Sequence, residues 1–360
     1  MKALFLNKRL WIIGAGLIFG VFAALMVNWG NPPTMGICVA CFIRDITGSL
    51  GLQNSVQYLR PEIIGLVLGA FITAFSFREF RVRGGSSPII RFVLGAFVMI
   101  GALVFLGCPI RMMLRLAGGD LNGLPALGGL IAGVLIGIFF LRRGFNLGRA
   151  ARGPALSGWI MPVIMVGLLL IAIFQPGFLH VSEKGPGSMF VPLAVALVIG
   201  LGVGFLAQRT RMCFVGGWRD IFLVKDTYLL GGILAFFVAA LVTNYAAGNF
   251  AASGIYHWGF TDEPIAHTDH LWNFLGMGLV GISATLLGGC PLRQLILTGE
   301  GDTDAGITVL GLIAGAAIAH NLSLASSSAG TGAWGPVAVI IGLVFCVIVG
   351  FFMREGAKAT

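Results

Sequence analysis

The stretch "LGCPIRMMLRL" covers residues 106–116, and a close copy of it, "GGCPLRQLILT", covers residues 288–298. Both contain Gly-Cys-Pro, then an apolar residue, then Arg. Pro is favoured in the first turn of a helix, and Gly before it permits a sharp turn of the backbone. Each copy therefore predicts a short half-helix that begins at its Pro inside the membrane, with the Cys at its N-terminus. The positions assigned in this way are Gly107, Cys108, Pro109, Arg111, Gly289, Cys290, Pro291 and Arg293.

The composition surrounding these motifs is that of a membrane protein. Hydrophobic residues make up 57% of the 360 residues, charged residues only 10%, and the mean hydropathy is +0.96. A soluble domain needs more charge on its surface than this, and apolar stretches long enough to cross a bilayer recur along the whole chain. We predict an all-α polytopic membrane protein. Ten spans are predicted, at residues 10–29, 61–77, 92–106, 124–141, 157–174, 191–207, 228–247, 271–288, 305–320 and 335–353.

The positions of Lys and Arg predict the orientation. Every second loop is basic, and the positive-inside rule places these loops, and with them both termini, in the cytoplasm. The net charge of +9 therefore reflects membrane topology, and we expect no nucleic-acid partner.

The two Gly-Cys-Pro motifs belong to a longer internal repeat. "CVACFIRDI" (38–46) aligns with "CFVGGWRDI" (213–221), and "GLIAGVLIG" (129–137) aligns with "GLIAGAAIA" (311–319). Each half holds five spans, an odd number, so the second half enters the membrane in the opposite sense. We predict one integral membrane domain built from two inverted repeats, residues 1–155 and 156–360. Inverted repeats with short, broken helices are typical of transporters whose path lies at the repeat interface.

Four cysteines recur in both halves, and their surroundings favour a functional role. The free backbone N–H groups of a half-helix N-terminus attract anions and lower the pKa of a thiol. Cys38 and Cys213 precede Arg-Asp pairs, which we interpret as local ion pairs at the membrane edge. Cys346 has no counterpart in the other half, and we interpret it as a small buried apolar residue.

Cys41 forms a C-x-x-C with Cys38, which is compatible with a redox pair or with half of a metal site. The chain contains no second C-x-x-C, so no metal site is predicted. Asp120 and Asp302 follow the two half-helices, and we interpret them as capping and turn residues. His257, His267 and His270 share one loop with three carboxylates. We prefer a solvated polar loop there over a surface metal site.

At these residues the sequence resembles the YeeE/YedE family of sulphur-compound permeases, whose characterised function is thiosulfate uptake in bacteria. The stretch "GNPPTMGICVACFIRDITG" (30–48) resembles a YedE-type branch for which selenium transport is predicted. The resemblance implies an hourglass-like fold and a narrow path lined by Cys38, Cys108, Cys213 and Cys290. Cys41 belongs to the branch-specific stretch.

We therefore predict an inner-membrane permease, not an enzyme, that takes up thiosulfate or a selenium anion without a cofactor. The alternative is a membrane thiol-disulfide oxidoreductase that uses Cys38 and Cys41. A third hypothesis is a channel that depends on a cytoplasmic sulphur or selenium carrier protein. The sequence leaves open which anion is carried and which ion drives it. Arg111 and Arg293 either hold their half-helices in place or attract the anion.

Overall fold

The computed structural model describes residues 8–252 and 254–354. Within these ranges nearly all of the regular secondary structure is helical, as predicted. The long helices are α1 (Lys8–Asn28), α3 (Pro61–Ser76), α4 (Pro88–Phe105), α6 (Gly123–Arg142), α7 (Ala155–Phe174), α8 (Leu193–Thr210), α10 (Tyr228–Ala246), α11 (His270–Leu287), α13 (Thr303–Asn321) and α14 (Gly335–Phe352). The short helices are α2 (Val39–Ser49), α5 (Pro109–Ala117), α9 (Gly216–Val224) and α12 (Pro291–Gly299). Two-residue strands β1 (Arg83–Gly84) and β2 (Ala151–Arg152) pair antiparallel, and Gly185–Ser188 forms a 3₁₀ turn.

The ten predicted spans coincide with the ten long helices. Among the described residues, nine helical stretches are long and apolar enough to cross a bilayer. Two of the nine are broken pairs, α4 with α5 and α11 with α12. Helix α3, with 16 residues, is shorter than the roughly 20 residues that a bilayer requires. The prediction of an all-α polytopic membrane protein is confirmed.

Helices from the two halves of the chain pack against each other in reciprocal pairs. Helix α1 packs on α10 and α3 on α8; α4 packs on α13 and α6 on α11. Glycines permit these close contacts, because a Cβ at Gly16 would overlap the carbonyl oxygen of Gly232, and one at Gly20 that of Phe236. Close backbone approach at small residues is the usual way in which membrane helices pack.

The same contacts fix the directions of the helices. Contacts advance by four residues along both α1 and α10, so these helices are parallel. The Tyr228 hydroxyl, at the start of α10, donates to the carbonyl oxygen of Thr210, at the end of α8, over 3.3 Å. Helix α8 therefore runs antiparallel to α10, and hence also to α1, its counterpart in the sequence repeat. An inverted repeat requires this relation.

The outer helices carry apolar side chains on their surface. Leu156 and Phe174 at the two ends of α7 are 79% and 77% exposed, and Phe352 at the end of α14 is 77% exposed. In a membrane protein such side chains face lipid. The centre of the molecule is instead formed by the broken pairs, and all nine residues of α5 are buried.

Candidate functional site

Three thiols from the first half of the chain meet in a buried group, which we call the first cluster. It consists of Cys38 and Cys41 at the N-terminus of α2 and Cys108 at the N-terminus of α5. The Sγ atoms of Cys38 and Cys41 lie 2.9 Å apart, and those of Cys38 and Cys108 lie 3.7 Å apart. All three side chains are free thiols and buried. The structure thus brings together three cysteines that the sequence separates by up to 70 residues.

Two thiols from the second half form the second cluster, Cys213 and Cys290. The Cys213 sulphur accepts the backbone N–H groups of Cys290, over 3.3 Å, and of Gly216, over 3.1 Å. The corresponding bond in the first cluster joins the Cys41 N–H to the Cys38 sulphur. Gly216 stands where the first half has Cys41, so the third thiol is particular to the first cluster.

The predicted half-helices are present, and each thiol lies where the sequence places it. Pro109 and Pro291 are the first residues of α5 and α12, and Cys108 and Cys290 are the N-cap residues. Because each half-helix begins inside the protein, the backbone N–H groups of its first turn have no acceptor within the helix. These N–H groups are directed at any ligand that binds at the thiol cluster.

The sharp backbone turn predicted at Gly107 and Gly289 does not lie at these two residues. The residues with left-handed backbone are one position earlier, Leu106 with φ +67° and Gly288 with φ +86°. Gly107 is instead required because the Arg111 side chain folds back over it: a Cβ there would lie 2.8 Å from the Arg111 Cδ. Gly289 is related to Arg293 in the same way, with a closest approach of 2.8 Å.

Arg111 is a buried cation at the edge of the first cluster. Its guanidinium donates to the carbonyl oxygens of Leu106 and Ile265, to the Thr34 hydroxyl and, over 3.8 Å, to the Cys41 sulphur. Among the described residues, no carboxylate pairs with it. A buried charge without a counter-charge is costly, and an arriving anion would supply one.

Arg293 has the same sequence position in the second half but a different electrostatic state. It lies 3.0 Å from Glu300, and Arg83 also approaches Glu300. Its charge is therefore neutralised within the protein. The carbonyl of Gly288, which corresponds to Leu106, accepts from Arg219 instead of from Arg293.

A buried polar network behind α2 was not predicted from the sequence. Asp45 lies 2.6 Å from Arg44 and 2.7 Å from Arg60, and Arg60 also donates to the carbonyls of Pro186 and Met189. The predicted Arg44–Asp45 pair forms, but it is buried and not at a membrane edge. The sequence feature that indicates this network is "RPE" (60–62), which places charged residues at the start of a span.

The histidine-bearing loop covers the first cluster. Tyr256 and His267 are buried: the Tyr256 hydroxyl accepts the Thr34 N–H over 2.9 Å, and the His267 ring contacts the Val104 carbonyl over 2.8 Å. The prediction of a solvated loop is therefore wrong for His267, but it holds for His257 and His270, which are exposed. No group of three His, Cys, Asp or Glu residues in the described ranges could hold a metal ion.

Two carboxylates and one thiol have packing or capping roles. Asp302 caps α13 by accepting the Ala305 N–H, and Asp120 accepts the Asn122 N–H and pairs with Arg115, as turn and capping roles require. Cys346 packs on α11 with its sulphur 3.1 Å from the Ser283 hydroxyl, away from both clusters.

The family profile described as "Sulphur transport" matches residues 209–356 of the chain, which contain the second cluster. The chain belongs to the YeeE/YedE sulphur transport family. The description of the matching profile favours the transporter prediction over the oxidoreductase alternative. The first cluster, at residues 38–108, lies outside the matched range.

Three relatives show how far the similarity extends. The thiosulfate transporter TsuA of Escherichia coli strain K12 is 28% identical over 113 residues, and that of Spirochaeta thermophila is 31% identical over 114 residues. These alignments cover 31% and 32% of this chain but only 30% and 32% of the transporters, about a third of their length. An uncharacterized protein of Methanocaldococcus jannaschii is 31% identical over 96 residues, which is 91% of its length.

Proposed function

We propose that this YeeE/YedE family member is a permease of the bacterial inner membrane that takes up a thiosulfate-like or selenium-containing anion. The observation that carries the proposal is the pair of thiol clusters, one in each half of the chain, both at half-helix N-termini. The similarity to two thiosulfate transporters supports a sulphur anion as substrate. The stretch at 30–48 supports extension to selenium anions.

The path in this proposal runs from the first cluster to the second. With basic loops and both termini in the cytoplasm, the first cluster is on the outer side and the second on the inner side. The halves 1–155 and 156–360 then act as the inverted repeats, and the antiparallel course of α1 and α8 supports this division.

The chemistry of the two clusters suits a permease because neither binds an anion too firmly. A thiol is a weak donor with a polarizable sulphur, so it contacts a soft terminal sulphur or selenium atom without retaining it. Conduction requires sites strong enough to admit the ion and weak enough to release it. Arg111 adds attraction at the outer side, and the Arg293–Glu300 pair adds none at the inner side. This difference favours entry followed by release.

Uptake of an anion also needs a driving force. Moving negative charge inward opposes the membrane potential by about 2.3 kcal/mol per charge per 100 mV. Coupling to an ion, a steep concentration gradient or capture by a cytoplasmic carrier protein would supply it. Uptake by liposomes containing only this protein separates the third possibility from the first two.

The test is uptake of labelled thiosulfate by proteoliposomes, with selenite as competitor. Cys108→Ala and Cys290→Ala should each abolish uptake, because each removes the thiol at a half-helix N-terminus. Cys346→Ala is the matched control, a buried cysteine outside both clusters, and should transport normally. Normal uptake by both the Cys108 and Cys290 variants would overturn the thiol path.

A further inference from the structure

Glu62, in the first turn of α3, is a buried carboxyl that belongs to neither thiol cluster. Its side chain is 0% exposed. The Oε1 atom accepts a side-chain N–H of Asn31 over 2.9 Å, and the Oε2 atom has no hydrogen-bond partner among the described residues. A carboxylate offers about four acceptor positions, and burying one that accepts so few hydrogen bonds is costly. A proton on the free oxygen removes the buried charge.

The arginine beside Glu62 is already engaged by other groups. The Arg60 Nε atom lies 2.7 Å from Asp45, and its two terminal nitrogens donate to the carbonyls of Met189 and Pro186. Asp45 also accepts two N–H groups of Arg44. Two guanidinium groups therefore hold Asp45 as a carboxylate, whereas Glu62 makes no ion pair within the described ranges. Of these two carboxyls, Glu62 is the one that is free to gain or lose a proton.

Protonation of Glu62 changes the net charge beside the first cluster. The buried network contains two guanidinium groups and two carboxyl groups, those of Arg44, Arg60, Asp45 and Glu62. The network is neutral when Glu62 is ionised and carries one positive charge when Glu62 is protonated. Arg44 and Asp45 lie on α2, the helix that also carries the Cys41 thiol.

The other elements packed on α3 do not cancel this change. Helix α3 packs on α7, α8 and α12 as well as on α2, and α7 contains no titratable side chain. Arg209, at the far end of α8, pairs with Glu79, and Arg293 of α12 pairs with Glu300. Tyr58 also faces Glu62, but burial raises the pKa of Tyr58 to about 12, so its phenol stays neutral.

Two hydrogen bonds connect Glu62 with the first cluster. The Asn31 side-chain amide donates to the Glu62 Oε1 atom and to the Gly36 carbonyl oxygen, each over 2.9 Å. Gly36 is two residues before Cys38. These links place the carboxyl about 10 Å from an anion at the thiols. At that separation and an effective dielectric constant of about 20, one added positive charge raises the affinity about fifteenfold for each negative charge of the anion.

We propose that Glu62 is a proton-binding site whose occupancy is coupled to the binding of an anion at the first cluster. The proposal rests on the proposed function for the identity of the anion. A proton on Glu62 raises the affinity for the anion, and by reciprocity the anion raises the affinity for the proton by the same factor. In the orientation of the proposed function, α3 begins on the outer side. A proton and the anion are then bound together from outside, and the proton offsets one negative charge of the anion.

The first test measures the protons taken up when thiosulfate binds to the detergent-purified protein in weak buffer. At the pH of the largest effect, the coupling predicts about half a proton or more per bound anion in wild type. Glu62→Gln copies the protonated form and should lose this uptake, whereas protons bound by the thiols would remain. Glu263→Gln is the matched control. It removes another buried carboxyl, in the loop that covers the first cluster, and should keep the uptake.

The second test measures the KM for thiosulfate in proteoliposomes as a function of external pH. In wild type the KM should fall at least about tenfold as the pH is lowered through the titration of Glu62, and in Glu62→Gln it should be low at every pH. Equal proton uptake and equal pH dependence in wild type and Glu62→Gln would overturn the proposal while leaving the permease function intact. Loss of both effects in Glu263→Gln, and not in Glu62→Gln, would overturn it as well.

An infrared titration leaves Glu62 in place and needs no transport. In Glu263→Gln, the C=O band of a protonated carboxyl should appear as the pH is lowered from about 9 to about 5, the range open to a buried carboxyl. Thiosulfate should raise the midpoint by about one pH unit, and Glu62→Asp should shift the band. If wild type transports no sulphur anion, this titration still decides the matter. A band that Glu62→Asp shifts supports the proton site, and the absence of any such band overturns it.

Discussion

Replacing Arg111 by glutamine removes a buried positive charge from the edge of the first cluster. An anion in contact with Cys41, whose sulphur lies 3.8 Å from the Arg111 Nη1 atom, would be about 5 Å from the centre of the guanidinium. At an effective dielectric constant of about 20, a unit charge at that distance is attracted by about 3 kcal/mol. This energy corresponds to about a hundredfold in affinity. We therefore expect the KM for thiosulfate in Arg111→Gln to rise by about two orders of magnitude.

The assay is the concentration dependence of uptake by proteoliposomes, with protein folding checked by thermal unfolding. Arg111 also donates to the Leu106 and Ile265 carbonyls, so Arg111→Gln is expected to be less stable. Arg111→Lys keeps the charge without the planar fork, and should recover most of the affinity.

The matched control removes an arginine whose charge is already neutralised. The double variant Arg293→Gln/Glu300→Gln keeps the net charge of its surroundings, and its KM should stay within about twofold of wild type. A wild-type KM in folded Arg111→Gln, or equal effects at the two positions, would refute the electrostatic reasoning.

Three further predictions concern oxidation, packing and pH. Diamide should inhibit uptake reversibly by oxidising Cys38 and Cys41 to a disulfide, while its azo group is reduced to a hydrazine. Cys41→Gly, which gives the first cluster the glycine found in the second, should resist this inhibition. Gly133→Ala should lower the free energy of unfolding by about 1–3 kcal/mol, because its Cβ would overlap the Gly278 carbonyl oxygen. Gly202→Ala is the control, because a Cβ at this position meets open space. This variant should leave the free energy of unfolding unchanged or raise it by about 0.5–1 kcal/mol. Burial raises the pKa of Glu263, in the loop that covers the first cluster, to about 7. The free energy of unfolding should therefore fall as the pH rises from about 4.5 to about 7, and Glu263→Gln should remove this pH dependence.

Each of the three has a result that contradicts it. Equal diamide inhibition of Cys41→Gly would place the sensitive thiols elsewhere. Equal stability of the two alanine variants in thermal unfolding would mean that α6 and α11 do not pack as closely as described. The sign of the pH effect follows from proton binding: between the unfolded and folded pKa values the native protein binds more protons, so raising the pH favours unfolding. A stability that rises over this range would contradict the burial of Glu263.

The sequence by itself determined the membrane class, the positions of the ten long helices and the half-helices beginning at Pro109 and Pro291. These features are local or periodic. Long apolar runs must become helices in a bilayer, and Pro after a cysteine marks the start of a helix wherever it occurs. The repeat also identified Cys38, Cys108, Cys213 and Cys290, because a thiol retained in two copies is visible in one chain, whereas Cys41 has no counterpart.

Only the tertiary structure decided which thiols meet and which charges stay unpaired. Cys38 reaches Cys108 across 70 residues because α2 and α5 enter the same site from different parts of the chain. Arg111 and Arg293 occupy the same motif, yet Glu300 neutralises only the second. The reason is that electrostatics and cavity shape depend on neighbours distant in sequence, whereas helix formation in a membrane depends on the residues of the helix itself.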